Sequence, residues 1–210
     1  MSSPRYLIPA ERSRTELEIE RSQFITTLAH APTADDARAF VESVRQEFPD
    51  ATHNCWAFVA GPPGDSNQVG MSDDGEPSGT AGRPMLSVLL HSDVGEIAAV
   101  VTRYYGGVKL GTGGLVRAYT SGVQQAMEEL PTRPLVHYEP IELVLEYSDL
   151  SLVQRLLPEW EGVVLREGFT ASVELSIDVP SDRSDAFVAT VIDRTHGRAV
   201  IRRPDAPEDR

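Results

Sequence analysis

The chain has 210 residues and a formal charge of −13, from 32 Asp plus Glu against 19 Lys plus Arg. That balance excludes a protein that coats nucleic acid through net charge, while 40% hydrophobic and 24% charged residues leave room for one large core or two small ones. A single cysteine excludes an internal disulfide, and no apolar run is long enough to cross a membrane as a helix.

Residues 1–14 are polar and are expected to form a loose lead-in. They hold no apolar run of the length a secretory leader needs, so a reducing, cytoplasmic setting is expected. Glu16 to Leu28 roughly alternates apolar and polar residues and predicts two strands meeting near Arg21-Ser22. Thr33-Ala-Asp-Asp36 resembles a capping box with Asp in place of Glu, and Ala37, Phe40, Val41, Val44 and Phe48 follow at helical spacing until Pro49. His53 to Val59 is rich in β-formers and predicts a strand. Residues 61–84 read as one long Gly/Pro-rich loop, of the kind that is usually functional or disordered, with a helix starting near Ser78 and running through Met85 to Leu90. Ile97 to Thr102 is a continuous apolar run, hence a strand covered on both faces. A glycine-rich loop then leads into a helix from about Thr112 to Leu130, with Leu115, Val116, Tyr119, Val123 and Met127 on its inner face.

Pro131 to Pro134 reads as a linker, so the domains are placed at 1–131 and 136–204. The second half predicts a strand over Val136–Tyr147 and a helix capped by Ser148 or Asp149. Two strands follow, turning near Gly168, then a helix opened by Pro180-Ser181 with Phe187, Val188, Val191 and Ile192 inward. Gly197 ends that helix before a last strand at Arg198–Arg203. The order βαββαβ is the ferredoxin-like arrangement. Residues 204–210 form a polar tail.

Three stretches carry chemistry beyond what packing requires. The first is Val100 to Tyr119, with five glycines (Gly106, Gly107, Gly111, Gly113, Gly114), three cations (Arg103, Lys109, Arg117), three tyrosines including Tyr104 and Tyr105, and no acid. Lys109 is the only lysine in the chain. Glycines let backbone amides approach an anion, and a helix start adds positive potential. The stretch predicts a phosphate site, on a nucleotide or an RNA backbone, with Arg83 as a further cation; a tight structural turn is the alternative. It is not a Walker loop, since no Ser or Thr follows the lysine, nor a dinucleotide fingerprint.

The second is Ser72-Asp73-Asp74-Gly75-Glu76. Three carboxylates in four positions would suit a divalent ion, a turn that caps the following helix, or ion pairs with Arg83, Arg103 or Lys109. The third is His53 and Cys55, two apart and therefore on one strand face. They would form a nucleophile pair if the imidazole reached the sulfur; a buried, inert thiol is the alternative.

Taken together, His53-Asn-Cys-Trp-Ala57, Ser72 through Pro84 and Thr102 through Tyr119 resemble the three motif blocks of the IMPACT/YigZ family. Residues 136–203 are similar in order and length to the C-terminal domain of its bacterial YigZ branch. The resemblance implies an α+β protein: an N-terminal ribosomal-protein domain-2-like α/β sandwich, like domain IV of elongation factor G, followed by a ferredoxin-like βαββαβ domain, like domain V or III of that factor. It implies a role in translation control, with RNA or the ribosome as the partner, or a protein partner in that control. No metal, cofactor or membrane partner is expected. The leading reading is a non-enzymatic RNA-binding protein using Arg83, Arg103, Tyr104, Tyr105, Lys109, Arg117 and the loop glycines. The alternatives are an enzyme on a small phosphorylated or acyl substrate, with His53, Cys55, Asp73, Asp74, Glu76 and Lys109 in one cleft, and a partner-binding module.

Overall fold

The computed structural model describes residues 5–204, so the polar tail from 205 on and the first four residues lie outside the described part. The chain is α+β and divides into two compact units, Met1–Leu135 and Val136–Arg210.

The first unit is built on a five-stranded sheet of β2 (Ser13–Ile19), β3 (Ser22–His30), β4 (His53–Val59), β5 (Val69–Ser72) and β6 (Ile97–Tyr104). Its spatial order is β2-β3-β6-β4-β5. β6 is central, antiparallel to both β3 and β4, so those two run parallel and the helix between them, α1 (Ala34–Glu47), must cross over β6. The continuous apolar run of β6 follows from its position. Ala98 and Val100 pack on the α1 side, while Ile97, Ala99 and Val101 pack under α2 (Gly82–Leu90) and α3 (Gly111–Glu128). A strand sealed on both faces cannot carry the polar alternation that a one-sided strand shows.

Local rules set two of the element starts in this unit. Glu20 and Arg21 both have positive φ, the geometry of a tight turn between β2 and β3, one residue ahead of the expected Arg21-Ser22. The Thr33 hydroxyl accepts the Asp36 amide at 3.1 Å and caps α1 as predicted. Two segments differ from expectation. Arg5–Pro9, expected as part of a lead-in, is strand β1, and most of Pro131–Pro134, expected as a linker, lies in strand β7 (Thr132–Val136); the two strands pair with each other. Tyr6 and Ile8 are buried and Leu7 is exposed, so the alternation was present, but across only five residues. The expected long loop of 61–84 is interrupted by β5, and α2 begins at Gly82, not near Ser78. On α3, Val116 is exposed although its spacing placed it inward.

The second unit has a four-stranded antiparallel sheet of order β11-β8-β10-β9, from β8 (Tyr138–Leu145), β9 (Val163–Phe169), β10 (Val173–Pro180) and β11 (Val200–Arg202). With helices α4 (Tyr147–Leu156) and α5 (Ser184–Arg194) between strands, this is the ferredoxin-like order. One sheet face, with Ile141, Leu143, Leu175 and Ile177, packs with Val153 and Phe187 of the helices. Asp149 does not cap α4; it grips Arg198 with both oxygens, at 2.6 and 3.1 Å. The β9–β10 turn lies past Gly168, at Thr170–Ser172, because β9 continues to Phe169. α5 begins at Ser184, later than expected, and Ile192 faces outward.

Candidate functional site

The three motif blocks meet at one end of the five-stranded sheet. His53 opens β4 and Arg103 lies near the end of β6, and the two are paired directly across the ladder. Their side chains share the sheet face that carries Cys55 and Val101, beneath α2 and α3. The acidic loop enters from β5 and lays Glu76 beside both of them.

Glu76 is buried, and the Arg103 guanidinium meets its Oε1 at 2.5 Å. Tyr119, from α3, donates its hydroxyl to the same oxygen at 2.8 Å. Arg103 is itself 5% exposed and is held between two rings, its guanidinium carbon 5.3 Å from the Phe24 centroid and 5.6 Å from that of Tyr105. Its Nη2 donates to Ser22 Oγ at 3.3 Å, and the same oxygen accepts the Gly106 amide at 3.2 Å. Arg103 Nε has no acceptor among the described residues.

The other acids are engaged locally. Asp73 accepts the amides of Gly79, Ala81 and Gly82 at 2.7, 3.0 and 2.8 Å, and so caps the start of α2. Desolvation opposes its ionisation, but these three donors outweigh it and hold the carboxyl below its usual range. Asp74, at positive φ, bridges Arg45 at 2.7 Å and the Asn54 amide at 2.7 Å. The helix-cap reading thus holds for Asp73 and the Arg103-pair reading for Glu76. Asp74 takes a partner, Arg45, that no local spacing pointed to.

His53 donates Nδ1–H to the Asp74 carbonyl at 2.8 Å. A carbonyl can only accept, so the proton is fixed on Nδ1 and Nε2 is left toward Glu76, 3.9 Å from its Oε2. Cys55 is fully buried, with Sγ 3.0 Å from the Asp73 carbonyl and 3.3 Å from the Tyr119 hydroxyl. Burial pushes its thiol up to about 12; the Tyr119 hydrogen bond opposes this, and the charges of Glu76, Asp74 and Asp73 add to it. A thiol so protonated and enclosed is not a nucleophile, which corrects the Cys55–His53 pair.

Above this buried layer lies a cleft of about 440 Å³, lined among others by His53, Glu76, Arg103, Tyr105, Lys109 and Gly111. Lys109 is exposed, and neither it nor Arg117 is ion-paired among the described residues. Arg117 lies beside a second depression of about 430 Å³, which Lys109 and Gly114 also line, and Arg83 lines a third that shares no residue with either. Tyr104 is tied by its hydroxyl to Asp50 at 2.8 Å, whereas Tyr105 stays 47% exposed. Arg103 is therefore removed from the open cationic face, because its charge is buried against Glu76. The glycines divide as well. A Cβ on Gly106 would fall 2.0 Å from the backbone of Arg21, so this glycine permits a close approach of two chain segments. Gly107 and Gly111 have positive φ, and Gly113 is exposed in the first turn of α3. Thr112, Leu110 and Leu115 also line the cleft; the sequence pattern marks Thr112 as a helix start and Leu115 as core-facing, and it does not single out Leu110.

The model of the Impact N-terminal domain matches residues 20–127, and that of a domain of unknown function, DUF1949, matches 143–198. The chain is 48% identical over 196 residues to an IMPACT family member of Haemophilus influenzae, covering 93% of this chain and 95% of that one. It is 49% identical over 195 residues to the IMPACT family member YigZ of Escherichia coli, covering 91% and 94%. A crystal structure of a hypothetical protein, 46% identical, superposes with a TM-score of 0.67 over 99% of this chain and 100% of that chain.

Proposed function

We propose that this chain, which belongs to the IMPACT family, is a non-enzymatic protein of translation that binds unpaired RNA, free or on the ribosome, through Tyr105 to Arg117. The carrying observation is a pair of exposed cations on one strip, Lys109 and Arg117, that form no ion pair among the described residues, with Glu20 bordering the same depression. Lys109 and Arg117 are unpaired among the described residues, and the first turn of α3 between them holds no acidic residue. In a chain of net charge −13, such a strip concentrates attraction for phosphate in one place. The half-exposed Tyr105 ring beside it suits stacking on an unpaired base.

A filter-binding titration of single-stranded RNA against salt tests this reading. Each phosphate contact adds about 0.7 to the slope of log K against log salt, so Lys109→Ala with Arg117→Ala should lower the slope by about 1.4. Equal binding by wild type and the double variant at all salt concentrations would reject it.

A second reading has one observation behind it: His53, with Nδ1 held by the Asp74 carbonyl, lines the cleft together with Glu76. That is the posture of a general base for a small phosphorylated or acyl substrate. Under the RNA-binding reading, His53→Gln leaves RNA affinity unchanged; a loss of turnover on phosphoester or acyl substrates would favour the second.

A further inference from the structure

We infer that Arg103 is a positioning residue for RNA binding: buried beneath Tyr105 and held by Glu76, it fixes the tyrosine ring so that one ring face is offered to an unpaired base. The inference deepens the RNA-binding reading and rests on it for the base.

Arg103 and Tyr105 are two residues apart at the end of β6, so their side chains lie on one face. The Arg103 guanidinium carbon is 5.6 Å from the Tyr105 ring centroid and 5.3 Å from that of Phe24. Phe24 is fully buried and Tyr105 is half-exposed, so the guanidinium separates a core ring from a surface ring. Arg103 is itself fixed by hydrogen bonds. Its Nη1 donates to Glu76 Oε1 at 2.5 Å, its Nη2 donates to Ser22 Oγ at 3.3 Å, and the same Glu76 oxygen accepts the Tyr119 hydroxyl at 2.8 Å. A planar cation held in this way is a flat support for a ring, which a lysine ammonium is not.

Hydrogen bonds do not fix the ring above it. The Tyr105 amide donates to Thr52 Oγ1 at 3.1 Å, which places the backbone, but the hydroxyl makes no hydrogen bond among the described residues. Tyr104 is the contrast, its hydroxyl tied to Asp50 at 2.8 Å. One face of the Tyr105 ring is taken by Arg103, so a base stacks on the other face alone. Arg103 does this without meeting the RNA. It is buried and its charge is matched by Glu76, so it is not a phosphate ligand. Its effect is on ordering. A side chain that must be immobilised on binding weakens affinity by about two- to tenfold, and a ring already ordered avoids that loss.

The experiment uses the full chain and a short, fluorescently labelled oligouridylate. Anisotropy titrations over a salt series compare wild type, Arg103→Lys, Tyr105→Ala and the double variant. Arg103→Lys keeps a charge opposite Glu76 and removes the plane beneath the ring. It should bind about two- to tenfold more weakly than wild type at every salt concentration, with the salt slope unchanged. Tyr105→Ala should lose about tenfold, as for one stacked base, and adding Arg103→Lys to it should cost nothing further. A role in general stability alone would weaken binding equally in both backgrounds, and that result rejects positioning. Binding by Arg103→Lys equal to wild type rejects it too, as does a slope lower by about 0.7, which would make Arg103 a phosphate ligand. Should Arg103→Lys fail to fold, Arg103→Met with Glu76→Gln removes both charges of the pair and serves in the same comparison. Carbon relaxation of the Tyr105 ring, measured without RNA, separates this inference from the reading it rests on. A ring ordered in wild type and looser in Arg103→Lys, with no oligouridylate bound by wild type, keeps the support of the ring and rejects the RNA reading. Equal ring order in both rejects positioning even where RNA binds.

Discussion

At the residue scale, Glu76 is the hub on which the site is ordered. One of its oxygens serves both Arg103 and Tyr119, and the arginine has little water to fall back on. Removing one partner of a buried pair leaves the other charge uncompensated, so Glu76→Ala should lower unfolding stability by about 3–5 kcal/mol, measured by urea denaturation. A loss below about 1 kcal/mol would place the pair with exposed ion pairs instead. Cys55 makes a pH prediction. Its folded pKa is raised from the ordinary 9.0 to about 12, so the native state keeps the thiol proton where the unfolded chain releases it. That contribution is fully present below the unfolded value and is lost as pH rises from about 9 toward 12. Urea midpoints of wild type should therefore fall across that range, and those of Cys55→Ala should fall less. Parallel curves would show that the burial of the thiol is not felt.

At the scale of elements, the glycine-rich stretch is two devices joined end to end. Its first part is steric. Gly106 lies against the turn between β2 and β3, where any Cβ would overlap Arg21's backbone. Its second part is a helix start, where Gly113 has open surroundings, the nearest atom to an added Cβ being Arg117 Nη1 at 3.9 Å. Gly106→Ala should therefore destabilise the protein, while Gly113→Ala should be neutral or raise stability by up to about 1 kcal/mol, the ordinary gain from replacing a helical glycine. Thermal unfolding of the pair checks this, and equal effects would contradict the division. The composition of this stretch announced a special backbone. Which glycine served close approach depended on β3 lying next to β6, a long-range neighbour relation. The start of α2 gives a similar lesson. Its cap comes from Asp73, eight and nine residues before the amides it serves, beyond the local window of capping rules.

At the scale of the molecule, each unit carries its own core: Leu28, Val101, Tyr119 and Val123 with their neighbours in the first, and Leu143, Leu175, Phe187 and Val191 with theirs in the second. A fragment from His137 onward should therefore fold alone, giving a cooperative urea transition by circular dichroism; a fragment without a sigmoidal transition would show that the second core depends on the first. No helix among the described residues is long and apolar enough to cross a membrane.

Apolar periodicity and turn chemistry by themselves determined the order of the main strands and helices, the ferredoxin-like arrangement of the second unit and the place of the three motif blocks. Those are properties of neighbours along the chain, which residues within one turn or one pleat express directly. The short strands β1, β5 and β7 escaped, since four or five residues hold too few repeats to reveal a period. Only the tertiary structure decided what each polar residue of the motifs does. Arg103 and Lys109 are both cations of one glycine-rich stretch, yet one is buried against Glu76 and the other stands free in the described structure. His53 and Cys55 share a strand face, yet one borders the cleft and the other is sealed beneath Tyr119. Strand register and the packing of α3 set those differences, and both depend on contacts between residues far apart in the chain.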